Sequence, residues 1–273
     1  MHFETLSETD WDSIGTLWEL LEGGDIEGAR RELKTRFRAR AKHPDVLIID
    51  AAIALEEGEP TLALEKLGAG AERSADPATF FHLRAMASFD LCRFDAAQAD
   101  IERALTVRPD FADAHDLLSR TLEYRGDAAG AATHAEAAHD LDSENFPLPF
   151  AMSDADFDRI VERCIAELPE PVRKHLDELP VVVLPLPAPE ILASEDPPLP
   201  PDLLGLFVGR DLMSRTTSDL PTGPGVIYLF RRNLCRMCHT EEELAKEVRV
   251  TVQHEVGHLL GLDEGELDRW GLA

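Results

Sequence analysis

Cysteine is scarce: Cys92, Cys164, Cys235 and Cys238 are the only four in 273 residues. They are too few and too irregularly spaced for a fold held together by disulfides. No run approaches the roughly 18 consecutive apolar residues that a membrane-spanning helix needs, so an integral membrane protein is not expected. The opening Met1-His2-Phe3-Glu4-Thr5 lacks a basic stretch followed by an apolar one, so a secretory leader is not expected either. Basic residues are in deficit, 27 against 53 acidic ones, for a formal net charge of -26. Such a surface repels phosphate backbones and anionic headgroups, which argues against nucleic acid and membranes as partners. Together these absences lead to the expectation of a cytoplasmic protein. An apolar fraction of 44% is enough for a buried core, and the length suits one large domain or two ordinary ones.

Interior prolines are also sparse from residue 10 to 145, where alanine and leucine dominate. A 34-residue period appears there when frames start at Asp10, Pro44, Ala78 and Ala112. The fifteenth position of each frame reads Gly24, Gly58, Cys92 and Gly126. The twentieth reads Ala29, Ala63, Ala97 and Ala131, and the twenty-fourth Leu33, Leu67, Ile101 and Ala135. A glycine between two helices allows a tight reversal, and an alanine just inside the second helix allows close approach. The pattern resembles tetratricopeptide repeats, most closely in frames three and four. Cys92 departs from it, since the turn glycine is missing there. The resemblance implies an all-α helical repeat domain over residues 10–145, with a groove that binds a peptide or protein partner. The basic run from Arg30 to Lys42 reads as a helix surface that is solvated or paired with acidic neighbours.

The array fades at Asp142-Ser143-Glu144-Asn145-Phe146-Pro147-Leu148-Pro149, which places a boundary between residues 145 and 146. Ser153 is placed to cap a helix reaching about Leu168, and a short helix is expected from Pro171 to Leu179. The β-branched run at 181–184 predicts a strand, and two more are expected at 204–209 and 225–232. The intervening stretch from Pro185 to Pro201 holds seven prolines and reads as a surface loop without regular structure.

Near the C-terminus stands Thr251-Val252-Gln253-His254-Glu255-Val256-Gly257-His258-Leu259-Leu260-Gly261. Thr240 and three following glutamates predict a helix start, and apolar residues at 244, 248, 252, 256, 259 and 260 carry a helical period through this stretch. His254 and His258 are one turn apart, so both imidazoles can reach one zinc ion. Glu255 is offset around the helix, as suits a general base that handles a water proton without binding the metal. Gly261 is placed to end the helix. Only 15 residues follow His258, which leaves little room for a distant third ligand. Glu264, ten residues after the first histidine, is the first candidate and Asp263 the second, followed by Glu266 and Asp268. Tyr228, Arg231 and Arg232 carry groups able to stabilise a developing oxyanion.

The order Val226-Ile227-Tyr228-Leu229-Phe230-Arg231-Arg232-Asn233-Leu234, then Glu242-Glu243-Leu244, then Val248 through Leu262 is similar to a small bacterial family of zincin-like proteins. That family is described as possible zinc metallopeptidases, or minimal metalloprotease-like proteins. The resemblance covers residues 146–273 and implies a compact α+β fold. It also implies zinc held by His254, His258 and an acidic residue at Glu264, with Glu255 as base. Leu259 departs from the common form, in which a further histidine often stands there. Cys235-Arg236-Met237-Cys238-His239 matches a haem-attachment string, but no export signal accompanies it and the motif helix follows at once. It is read as a turn with partly buried thiols.

The sequence therefore predicts an all-α helical repeat array followed by a small α+β zincin-like domain. The expected function is zinc-dependent peptide-bond hydrolysis on a peptide or protein substrate. The alternative is a non-catalytic adaptor with a structural or vestigial zincin domain.

Overall fold

A computed structural model describes residues 5–68, 70–168, 170–176, 179–209 and 225–262. The chain divides into two compact units. One comprises the residues up to Phe146 together with Ala193–Pro200, and the other comprises Pro147–Leu192 with the residues from Pro201 onward.

The first unit is all-α. Eight helices pair successively: α1 (Glu8–Glu22) with α2 (Ile26–Arg36), α3 (Pro44–Glu56) with α4 (Pro60–Gly68), α5 (Pro77–Asp90) with α6 (Phe94–Val107), and α7 (Ala112–Tyr124) with α8 (Ala128–Leu141). Every pair turns the same way. Gly24, Gly58, Cys92 and Gly126 have φ of 75°, 73°, 56° and 78°, the left-handed conformation that ends a helix. At each turn two amides reach back to the preceding helix. Gly24 donates to the Leu21 carbonyl and Asp25 to that of Leu20, and the same pattern recurs at residues 58–59, 92–93 and 126–127. The alanines five residues later, Ala29, Ala63, Ala97 and Ala131, are all buried where the helices touch. Leu33, Leu67 and Ile101 fill the core one turn on, whereas Ala135 is only half-buried. The basic run is drawn into the array's acidic surface. Arg30 binds Glu57 and Asp50, Arg36 binds Glu32, and Arg40 binds Asp10.

The second unit is α+β. Helix α9 (Asp154–Glu167), capped by Ser153, and α10 (Glu170–Leu176) precede strand β1 (Val181–Leu184). A short helix α11 (Pro189–Leu192), strands β2 (Gly205–Val208) and β3 (Val226–Phe230), and helices α12 (Arg231–Arg236) and α13 (Glu241–Leu259) follow. The sheet order is β1-β3-β2, with β1 parallel and β2 antiparallel to the central strand. Leu244, Val248, Val252 and Val256 form one stripe of α13 and meet Phe157, Ile160 and Cys164 of α9 and Ile227 and Leu229 of β3 in a single core.

Two expectations are corrected here. The third strand stops at Phe230, because β1 gives way to Pro185 and the Arg232 amide donates to the Pro185 carbonyl at 3.0 Å. Residues 231–236 then wind into α12, which buries Leu234 and Cys235. The proline-rich loop is interrupted by α11, since Pro189 occupies a first-turn position where no amide is needed, and Leu192 is fully buried.

Candidate functional site

Helix α13 starts at Thr240, whose hydroxyl accepts the Glu243 amide at 3.1 Å, with Glu241, Glu242 and Glu243 in the favourable first turn. It ends in the same turn as the repeat helices. Gly261 has φ of 79° and donates to the His258 carbonyl, and Leu262 donates to that of Gly257. This fixed end orients the last two turns, where the motif lies.

His254 and His258 project from one face, and their Nε2 atoms stand 3.0 Å apart with ring planes at 84°. Two imidazole nitrogens on one tetrahedral zinc, each about 2.0–2.1 Å from it, would be about 3.3 Å apart. The pair therefore fits a shared metal with a displacement of a few tenths of an ångström. At this distance one ring donates a hydrogen bond to the other.

Glu255 lies on the buried side of the helix, 6% exposed, and its Oε2 accepts the Phe207 amide of β2 at 2.6 Å. β2 is thus the sheet edge that adjoins the motif helix. Gly205 makes the approach possible, because a Cβ placed there would stand 2.5 Å from Thr251 Cγ2. Neither Gly205 nor Phe207 was expected to matter. An isolated glycine in an apolar strand is the one sequence signal that marks such a close approach. Asn233 is a second unforeseen support: buried in α12, its Nδ2 donates to the carbonyls of Pro201 at 3.0 Å and Leu203 at 2.7 Å, ahead of β2.

The third-ligand candidates Glu264 and Asp263, with Glu266 and Asp268, lie outside the described residues. Among the described residues no group of three or more His, Cys, Asp or Glu side chains is placed to hold a metal. Arg231 is engaged in an ion pair with Asp154 at the start of α9. Cys235 lies in the last turn of α12 and Cys238 just after it; both are buried more fully than expected, at 8% and 2% exposure. Burial pushes both thiols up, that of Cys238 to about 11, and the nearby Glu247 adds to the effect on Cys238. They are neutral thiols packed in the core at physiological pH.

Residues 176–272 match the family model of a zincin-like metallopeptidase. No curated protein matches the chain. Among solved structures, a crystal structure of MamA is similar at 22% identity over 46% of this chain and 73% of that one, with a TM-score of 0.39. A second MamA structure shows 21% identity over 50% and 75%, with a TM-score of 0.40. PilW, a widely conserved type IV pilus biogenesis factor, shows 12% identity over 57% and 83%, with a TM-score of 0.35. By the family match, the C-terminal part of the chain carries a zincin-like domain behind an all-α repeat region.

Proposed function

We propose that the chain is a zinc-dependent peptidase in which residues 146–273 cut a peptide bond and residues 10–145 bind the substrate or a protein partner. The observation that carries this reading is the convergence of two imidazole nitrogens at 3.0 Å, one residue away from a buried carboxylate, beside a sheet edge. His254 and His258 would hold the ion, with Glu264 as third ligand and Asp263 as the substitute. Zinc bound there supplies Lewis acidity for the scissile carbonyl and for the attacking water.

The chain's own residues do the rest. Glu255 takes the water proton at a carboxylate oxygen and returns it to the leaving amine, so no net proton is lost in the cycle. Besides the Phe207 amide that Glu255 holds, the edge strand β2 has outward backbone groups along which an extended peptide can align its carbonyl. Helix α13 and the core beneath it keep the base and both histidines on one rigid element. A polypeptide substrate fits the proposal better than a polyanion, given the charge of -26.

Digestion of a peptide library by zinc-loaded and zinc-stripped protein tests the reading. Cleavage that disappears on stripping and returns when zinc is restored is the expected outcome. Identical cleavage by both preparations would overturn the zinc mechanism, and no cleavage by the loaded protein would overturn the reading in favour of a non-catalytic adaptor.

A further inference from the structure

The contact between Glu255 and β2 is built, not incidental. Phe207 lies opposite Ile227 in the antiparallel pair, and Ile227 sends its own amide to the Pro180 carbonyl on the other side of β3 at 3.0 Å. One step along, the Phe230 amide donates to the Leu204 carbonyl at 2.9 Å, which marks residues 204, 206 and 208 as those that bond to β3. The Phe207 amide therefore points out of the sheet edge, where Glu255 receives it at 2.6 Å.

That meeting depends on Gly205. A Cβ at this position would be 2.5 Å from Thr251 Cγ2, 3.1 Å from the Tyr228 carbonyl oxygen and 3.4 Å from Glu255 Cγ. Its backbone is not in the left-handed region, so space is what the position demands, not conformational freedom. Thr251 is buried and lies one turn before Glu255 on the same face of α13. A side chain at 205 would push β2 off the helix at the level of the carboxylate.

We infer that Gly205 and the Phe207 amide are positioning elements for Glu255: the missing side chain lets the edge strand close on α13, and the amide so delivered fixes the carboxylate. The inference rests on the proposed role of Glu255 as general base. A base held in one orientation needs no reorganisation when the water proton moves. The same strand that aligns the substrate then also aligns the base, so the two are set in register by one element.

The test uses the full chain in four forms: wild type, Gly205→Ala, Thr251→Ser, and Gly205→Ala/Thr251→Ser. The serine removes only the methyl group that the added Cβ would meet. Amide hydrogen exchange at Phe207 reads the contact without any need for turnover. It should be about tenfold faster in Gly205→Ala and return toward wild type in the double variant. In the loaded protein, Gly205→Ala should lower kcat by about 10- to 100-fold with zinc content kept, and the double variant should regain most of it.

Unchanged Phe207 exchange in Gly205→Ala overturns the inference, as does a kcat loss that the double variant does not relieve. If wild type cleaves nothing while Phe207 exchange follows the predicted pattern, the contact stands and the peptidase reading fails.

Discussion

His82 shows what a single buried titratable group does to this protein. It lies in α5, 8% exposed, with its ring 4.8 Å from that of Phe111. Burial lowers its pKa from 6.5 to about 4, although Asp113 nearby pulls it back up. The unfolded chain therefore binds a proton between pH 6.5 and 4 that the folded chain refuses, so stability is lost as pH falls through this window. The full loss amounts to about 3 kcal/mol. Carboxylates such as Asp76, held below the usual 3.8 by Thr79 and Arg108 in spite of burial, act in a more acidic window and do not mask it. His82→Leu is expected to flatten the fall in urea-unfolding free energy between pH 7 and pH 4.5 by about 2 kcal/mol. An identical pH profile in wild type and variant would contradict this.

Among the elements, the helix-turn-helix repeat was the most legible. Its turn demands a left-handed residue at one position and its packing demands alanine at another, so the geometry leaves a mark at fixed spacing. The exception is Cys92, which adopts φ of 56° without being glycine. Cys92→Gly is expected to raise stability by about 1 kcal/mol, and Gly126→Ala to lower it by about as much, in denaturant unfolding. Equal effects of the two, in sign and size, would refute the equivalence of the four turns. The motif helix was legible for a similar reason, since two histidines four apart share a face in any helix. Helices α11 and α12 were not legible: the first hides behind proline density, and the second exists because the Pro185 carbonyl and the carbonyls ahead of β2 capture Arg232 and Asn233. Strand β2 was foreseen, but not its place beside Glu255. That contact is made by a backbone amide, which carries no sequence signature, and only Gly205 hints at it.

For the whole molecule, the two units divide what the proposal asks of them. The array is all-α and strongly acidic apart from the run between Arg30 and Lys42, in which Arg30, Arg36 and Arg40 form ion pairs with acidic neighbours. No helix among the described residues is long and apolar enough to cross a membrane. In the proposed reading the C-terminal unit would concentrate the chemistry in one helix and one strand, with His254 and His258 for the ion, Glu255 for the proton and β2 for alignment. In the proposed mechanism Glu255 moves a proton and does not merely fill the core. The most direct test of that role is cleavage of one peptide by wild type and Glu255→Gln, each loaded with one equivalent of zinc. The glutamine variant is expected to keep its zinc and to lose at least about 100-fold in kcat. Equal rates in the two proteins at equal zinc content would contradict it.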